Sequence, residues 1–191
     1  MSRTVAVVLA NEPGSGFTES KFLGDISGTT LIDRVLADVS GWPVDDTVVV
    51  LGPDAEEILQ SMAPTDATVV IDLEWSEGSA ASLRVGLDVV MRGPATDFVV
   101  IVPADQLGVD TEDVAALIEA AENATASVPK YRYRRGFPVV LGRSIWERLL
   151  GSEGDLDLLD LLGSHPDGVQ EVWFEHLSGP RIRTPDDIRP R

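Results

Sequence analysis

Cysteine is absent from the 191-residue sequence, and histidine occurs only twice, as His165 and His176. Without cysteine the chain can form no disulfide, no thiolate nucleophile and no cysteine-ligated zinc site. Two histidines leave little for a histidine metal centre. No repeat, low-complexity tract or linker divides the chain, so we expect residues 1–191 to form a single domain.

Long apolar runs and basic residues are also scarce. The apolar run near the N-terminus is too short for a signal peptide or a membrane span, which predicts a cytoplasmic protein without a membrane partner. Fifteen Lys and Arg against 32 Asp and Glu give a formal net charge of −17. Such a charge repels nucleic acid, so we expect none as a partner. A phosphate ligand would need a local cluster of basic side chains, backbone N–H groups or a metal.

Short apolar runs alternate with helical patterns through the first two thirds of the chain. The runs are rich in β-branched residues and continuously apolar, as expected of parallel strands covered on both faces: Thr4–Leu9, Thr47–Leu51, Ala67–Ile71 and Phe98–Val102. Helical spacing is found at Thr29–Val39, Asp54–Met62, Ser79–Met91 and Thr111–Glu122. This alternation predicts a three-layer α/β/α sandwich around a Rossmann-like, mostly parallel mixed sheet.

After about residue 125 the pattern changes. Further strands are predicted at Ala126–Val128, Phe137–Leu141 and Val169–Phe174, with short helices near Ser144–Leu150 and Leu156–Leu162. We expect these to extend the sheet with mixed strands. The Pro- and Arg-rich tail, Pro180–Arg191, is predicted to be partly mobile.

Ligands of open α/β sheets bind beyond the carboxyl ends of the strands, so each strand exit is a candidate site. After the first strand, Gly14, Ser15 and Gly16 could offer backbone N–H groups to phosphates, with Lys21 adding a positive charge. The alternative is an ordinary strand-to-helix turn. Asp105, directly after Phe98–Val102, is placed to hold Mg²⁺, or else it is a turn residue.

Two further exits carry candidate ligand groups. In "WSEGSAASLRVG", Gly78 and Ser79 open a helix whose free N–H groups could meet a phosphate or a base edge, although this stretch taken alone favours a simple helix start that packs on the sheet. In "KYRYRRGFPVVLG", Lys130, Arg132, Arg134 and Arg135 form a basic patch within six positions. Such a patch suits an anionic ligand, and its alternative is a solvated hairpin turn.

These four exits, in this order, resemble the MobA-like NTP transferase family, especially the molybdenum cofactor cytidylyltransferases. The matching stretches are "LANEPGSGFTESK", "EGSAASL", "PADQLG" and "RGFPVVLGR", and "TPDD" near the C-terminus is similar to the closing motif of that family. The resemblance implies a nucleotide-diphospho-sugar transferase-like fold. It also implies Mg²⁺-dependent transfer of a nucleotidyl group, from CTP rather than GTP, to a phosphorylated pterin-type cofactor.

The resemblance assigns roles to particular residues. Lys21 and Asp105 are the implied catalytic pair, with Asp105 and Asp155 as metal ligands and Arg134 and Arg135 binding the acceptor. The implied nucleotide-binding residues are Leu9, Ala10, Asn11, Gly14, Ser15, Lys21, Glu77, Gly78 and Ser82. A molybdoenzyme or its chaperone is the implied protein partner.

Several family positions are altered in this chain. Glu12 stands where the family has a loop glycine, Gly16 where it has a phosphate-binding arginine, and Arg181 and Arg183 where it has acids. These changes leave a second hypothesis open, a catalytically silent nucleotide- or cofactor-binding homologue that assists cofactor delivery or maturation. A third, oxidoreduction, lacks a dinucleotide fingerprint in "NEPGSG".

Overall fold

The computed structural model describes residues 2–150, 158–164 and 167–188. Asp155 and His165 therefore lie outside the described residues. The strands are β1 (Thr4–Ala10), β2 (Asp46–Leu51), β3 (Thr68–Ile71), β4 (Phe98–Pro103), β5 (Ala126–Tyr131), β6 (Arg134–Arg135), β7 (Val139–Gly142) and β8 (Val169–Phe174). The α-helices are α1 (Leu31–Ser40), α2 (Ala55–Ser61), α3 (Ser79–Arg92), α4 (Thr111–Ala121), α5 (Arg143–Leu150) and α6 (Leu158–Ser164).

One mixed sheet contains all of these strands, in the order β3-β2-β1-β4-β7-β5-β6, with β8 paired to β5. Strands β1 to β4 run parallel to one another. Strand β7 is antiparallel to both β4 and β5, whereas β8 runs parallel to β5. The predicted parallel half with a mixed extension is confirmed.

Helices cover both faces of this sheet, because successive strand side chains point to opposite sides. Along β1, Ala6 and Val8 pack into the cluster that contains the buried residues of α1, α2 and α4. Val5 and Val7 pack into the other cluster, with α3, α5 and α6. Thr30 caps α1 by accepting a hydrogen bond from the Asp33 backbone N–H at 3.2 Å. The three-layer architecture is therefore confirmed.

The last described residues, 179–188, form what we term the C-terminal segment, and they pack across the carboxyl end of β4. The Leu107 backbone N–H donates to the Pro180 carbonyl at 3.0 Å, and that of Ile182 donates to the Asp105 carbonyl at 2.9 Å. The Ile182 side chain is only 1% exposed. The prediction of a partly mobile tail is thus wrong for residues 180–188, because one apolar side chain and several backbone hydrogen bonds fix them.

No helix in the described ranges is both long enough and apolar enough to span a membrane. The cytoplasmic location stays a prediction.

Candidate functional site

The carboxyl ends of β1 and β4 meet at one edge of the sheet because these strands are parallel neighbours. The loop after β1 leads into a short 3₁₀ helix, Lys21–Leu23, and Asp105 lies just beyond β4. There, Lys21 Nζ donates to Asp105 Oδ2 at 2.8 Å, and each side chain is only 2% exposed. The sequence-based expectation that Lys21 and Asp105 lie together is confirmed, while their chemical roles stay predictions.

A third side chain, Arg181 of the C-terminal segment, completes a buried ionic cluster. Its Nε donates to Asp105 Oδ1 at 2.7 Å, and one of its terminal nitrogens donates to Asp105 Oδ2 at 3.0 Å. The same nitrogen lies 3.3 Å from an Oε of Glu12, whose side chain is 51% exposed. Sequence reasoning noted Arg181 only as a departure from the family pattern and missed that it binds Asp105.

The charges in this ionic cluster are nearly balanced. Lys21, Arg181 and Asp105 together leave one net positive charge, which the surface carboxylate of Glu12 neutralises. Burial lowers the pKa of Arg181, but the hydrogen bonds and charges of Asp105 and Glu12 outweigh burial and hold that pKa above its ordinary value. Arg181 is therefore a permanent cation at the strand exits.

The ionic cluster does not fit a divalent metal at Asp105. Both Asp105 carboxylate oxygens already accept hydrogen bonds from cations. Mg²⁺ requires oxygen ligands at about 2.0–2.1 Å in a near-octahedral arrangement, and here it would lie against a guanidinium and an ammonium group. The assignment of Asp105 as a Mg²⁺ ligand is therefore not supported by the geometry. Asp155, the other predicted metal ligand, is outside the described residues.

Beside the ionic cluster lies a cleft of about 380 Å³ that we term the basic cleft. Its lining includes the predicted acceptor-binding residues Arg134 and Arg135, together with Arg181 and Arg183. Arg135 is paired with Glu171 at 2.8 Å. Arg134 and Arg183 are exposed, and their side chains form no ion pair with any residue in the described part of the chain. The volume falls in the range of small-molecule sites, about 300–1,000 Å³.

A second, smaller cleft of about 60 Å³ adjoins the basic cleft. Arg181 and Phe137 line both of them. Two predicted nucleotide-binding residues, Leu9 and Asn11, also line the smaller cleft, with Glu12 and Ser79. Most of its other lining side chains are apolar, as is typical of a surface that contacts a ring face. We term it the apolar cleft.

The predicted phosphate-binding groups of the glycine-rich loop are partly occupied by contacts within the protein. A side chain at Gly14 would lie 2.5 Å from the Phe17 ring and 2.7 Å from Lys21 Cβ, so this position needs glycine. The Ser15 backbone N–H, a predicted phosphate donor, donates instead to the Arg183 carbonyl at 3.1 Å. Ala10 is fully buried at the end of β1. The loop is thus pinned to the C-terminal segment.

At the start of α3, the predicted Ser82 does not face either cleft. Its side chain is fully buried and its hydroxyl donates to Asp72 Oδ2 at 2.5 Å. Asp72, which sequence reasoning missed, also accepts from the Glu74 backbone N–H at 2.8 Å and so fixes the loop before α3. Gly78 adopts φ 109°, which favours glycine, and Glu77 ends a short 3₁₀ helix. The side chain of Glu77 is not among those described.

A separate polar group joins α4 to the turn after β8. His176 Nε2 lies 3.1 Å from Asp113 Oδ2, and Asp110 brings a third potential ligand atom within 4.8 Å of the others. The Leu177 carbonyl and the Asp113 carboxylate raise the pKa of His176, while burial raises the pKa of Asp113. The ion pair between His176 and Asp113 therefore accounts for the closeness of these three side chains.

The His176–Asp113 pair predicts a stability that falls as pH rises. Because folding raises the His176 pKa, its stabilisation is fully present below about pH 6.5 and is lost as pH rises through the folded-state pKa. We expect His176→Gln to flatten the slope of unfolding free energy against pH over about pH 6–8. Urea denaturation across that window measures the slope. An unchanged slope would show that this pair does not titrate as described.

Comparisons with known proteins give one family model and several similar solved structures. Residues 6–169 match the MobA-like NTP transferase domain. A homologue of Rv0371c from Mycobacterium sp. strain JC1 is 28% identical, with a TM-score of 0.86 over 97% of this chain and 92% of that one. No curated protein matches the sequence.

Two more distant solved structures support the fold. The Mycobacterium tuberculosis H37Rv protein Rv0371C, in complex with manganese, is 24% identical, with a TM-score of 0.83 over 97% of this chain and 96% of that one. Molybdopterin-guanine dinucleotide biosynthesis protein A from Archaeoglobus fulgidus is 23% identical, with a TM-score of 0.70 over 96% and 94%.

Proposed function

Because residues 6–169 match its defining domain, the chain belongs to the MobA-like NTP transferase family, and we propose that it transfers a nucleotidyl group to a phosphorylated acceptor. A phosphate oxygen of the acceptor attacks the α-phosphorus of a nucleoside triphosphate. The new phosphorus–oxygen bond forms as the bond to the β-phosphate oxygen breaks, and pyrophosphate leaves with that electron pair. In such chemistry the protein mainly positions groups and neutralises charge.

The basic cleft is the observation that carries this proposal. Four arginines line a cleft of about 380 Å³ next to the Lys21–Asp105 pair, in a chain whose formal net charge is −17. Four guanidinium groups this close together are suited to a ligand that carries several phosphate charges. In this proposal Arg134 and Arg183 bind the acceptor phosphate, and Lys21 and Arg181 neutralise the triphosphate. Asp105 orients these two cations.

The base is proposed to enter the apolar cleft, which favours CTP over GTP. At about 60 Å³ the cleft must widen for either base, and it must widen less for a single-ring pyrimidine. Leu9, Asn11 and Gly78 stay proposed nucleotide contacts. A pterin-type acceptor is supported by the family relationship and by the size of the basic cleft.

A second candidate function is a silent nucleotide- or cofactor-binding protein that delivers the cofactor to a molybdoenzyme or its chaperone. The pairing of both Asp105 oxygens with cations favours it, because such a carboxylate is poorly placed to ligate the metal used in transfer chemistry. This candidate predicts binding without turnover.

Pyrophosphate release separates the two candidates. The chain is incubated with each of four nucleoside triphosphates and a phosphorylated pterin, with and without Mg²⁺, while its melting temperature is followed. Transfer predicts pyrophosphate release, greatest with CTP, whereas silent binding predicts a raised melting temperature alone. Neither response with any nucleotide would contradict both candidates.

Arg134→Ala gives the residue-level test. We expect it to weaken acceptor binding roughly 10–100-fold, as loss of a charge-assisted hydrogen bond of about 1.5–3 kcal/mol implies. Arg92→Ala is the matched control, since Arg92 lies at the end of α3 and pairs only with Asp88 among the described residues. Equal effects of the two variants would count against the basic cleft as the acceptor site.

A further inference from the structure

Arg181 holds Asp105 in the way that a bound cation would. Its guanidinium donates to both Asp105 oxygens, at 2.7 and 3.0 Å, while Lys21 donates to one of them at 2.8 Å. Asp105 is 99% buried, and the Arg181 side chain is 20% exposed. The pairing is thus bidentate and nearly closed to water on the Asp105 side, yet reachable by a ligand on the Arg181 side.

The position of Arg181 is fixed by its backbone as well as by its charge. The next residue, Ile182, is buried in the main core and donates its backbone N–H to the Asp105 carbonyl. Gln106 and Arg181 form an isolated antiparallel bridge. Removing the guanidinium from Asp105 would leave a buried carboxylate with one partner fewer, which is costly.

The anion that contacts Arg181 indicates which ligand could replace it at this site. The exposed Glu12 carboxylate is the anion that meets Arg181 from the solvent side, at 3.3 Å. A phosphate oxygen that took the place of the Glu12 carboxylate would keep an anion against Arg181, through the same kind of charge-assisted hydrogen bond. A guanidinium that joins Asp105 to a phosphate does the bridging that a divalent ion does elsewhere.

We propose that Arg181 replaces the divalent cation in this chain, so that a nucleoside triphosphate binds here without metal by displacing Glu12 from the guanidinium. The identity of the ligand rests on the proposed function. The exclusion of metal from Asp105 rests only on the ionic cluster.

Manganese binding to the nucleotide-free protein tests whether metal is excluded from Asp105. Mn²⁺ is titrated into the wild type, Asp105→Asn and Arg181→Asp, with free Mn²⁺ followed by electron paramagnetic resonance. We expect the wild type and Asp105→Asn to bind identically, through groups other than residue 105, and Arg181→Asp to gain one tighter site. A wild-type site that Asp105→Asn abolishes would overturn the proposal.

Calorimetry with a nucleotide tests the other part of the proposal, that a nucleoside triphosphate binds without metal. The Kd of CTP is measured by calorimetry in EDTA and in Mg²⁺. For the wild type we expect the two values to agree within about threefold, and for Arg181→Asp we expect binding in EDTA to weaken at least tenfold and to recover in Mg²⁺. A wild-type Kd at least tenfold weaker in EDTA overturns metal-free binding, and the wild-type comparison decides this even if Arg181→Asp fails to fold. If no nucleotide binds under either condition, the proposed function fails, while the Mn²⁺ titration still decides the exclusion of metal.

Discussion

Replacing Asp105 with alanine is expected to lower the free energy of unfolding by about 3–5 kcal/mol, as for other buried ion pairs that lose one partner. The cost arises because Lys21, whose side chain is 2% exposed, would keep a buried ammonium group without its carboxylate. Arg181 would also lose its two shortest hydrogen bonds. Urea denaturation measures the loss.

A double replacement distinguishes the cost of an unpaired buried charge from the cost of lost packing. Lys21→Met combined with Asp105→Leu removes the two most deeply buried charges, keeps approximate volume and leaves Arg181 paired with Glu12, so we expect it to recover much of the stability that Asp105→Ala loses. If the single variant were as stable as the wild type, the ion pair would not be buried as the structure has it.

Replacing Glu12 with glutamine is expected to tighten triphosphate binding roughly 10–100-fold. A carboxylate that stayed about 4 Å from a phosphate charge would cost on the order of 4 kcal/mol at an intermediate dielectric, and turning Glu12 away instead breaks its ion pair with Arg181. Because the Glu12 side chain is half exposed, only part of either cost applies. Calorimetric titration with CTP, at low and high salt, measures the change. The gain should shrink at high salt because screening already weakens the repulsion.

Glu19→Gln is the matched control for Glu12→Gln. Glu19 is an exposed acid of the same loop and has no ion pair among the residues that the structure describes. Its replacement should change the Kd of CTP by less than about twofold. Weaker binding by Glu12→Gln would contradict the displacement mechanism and would mean that Glu12 positions Arg181 for the ligand.

The sheet and the meeting of Lys21 with Asp105 could be predicted because they follow from local patterns. Continuous β-branched runs indicate buried parallel strands, and the carboxyl ends of parallel neighbours necessarily share an edge. The basic patch at Arg134 and Arg135 was likewise visible as a departure from an acidic composition.

The partners of the polar side chains could not be predicted in the same way. Arg181 lies 76 residues from Asp105 in the chain, and no periodicity connects a C-terminal tail with a strand exit. Ser82 gave the pattern of an open helix start, but its hydroxyl donates to Asp72, in the loop after β3. The backbone N–H of Ser15 likewise donates to the carbonyl of Arg183, a distant residue that no local pattern connects with the loop. One signal was present, since basic residues replaced the acids of the family's closing motif at Arg181 and Arg183.

A crystal structure of the chain grown with CTP and EDTA tests the central claim most directly. We predict a phosphate within about 3 Å of the Arg181 guanidinium, Glu12 turned away from it, and the Arg181–Asp105 hydrogen bonds retained. A nucleotide bound elsewhere, or one that appears only when a divalent ion ligates Asp105, would contradict the account.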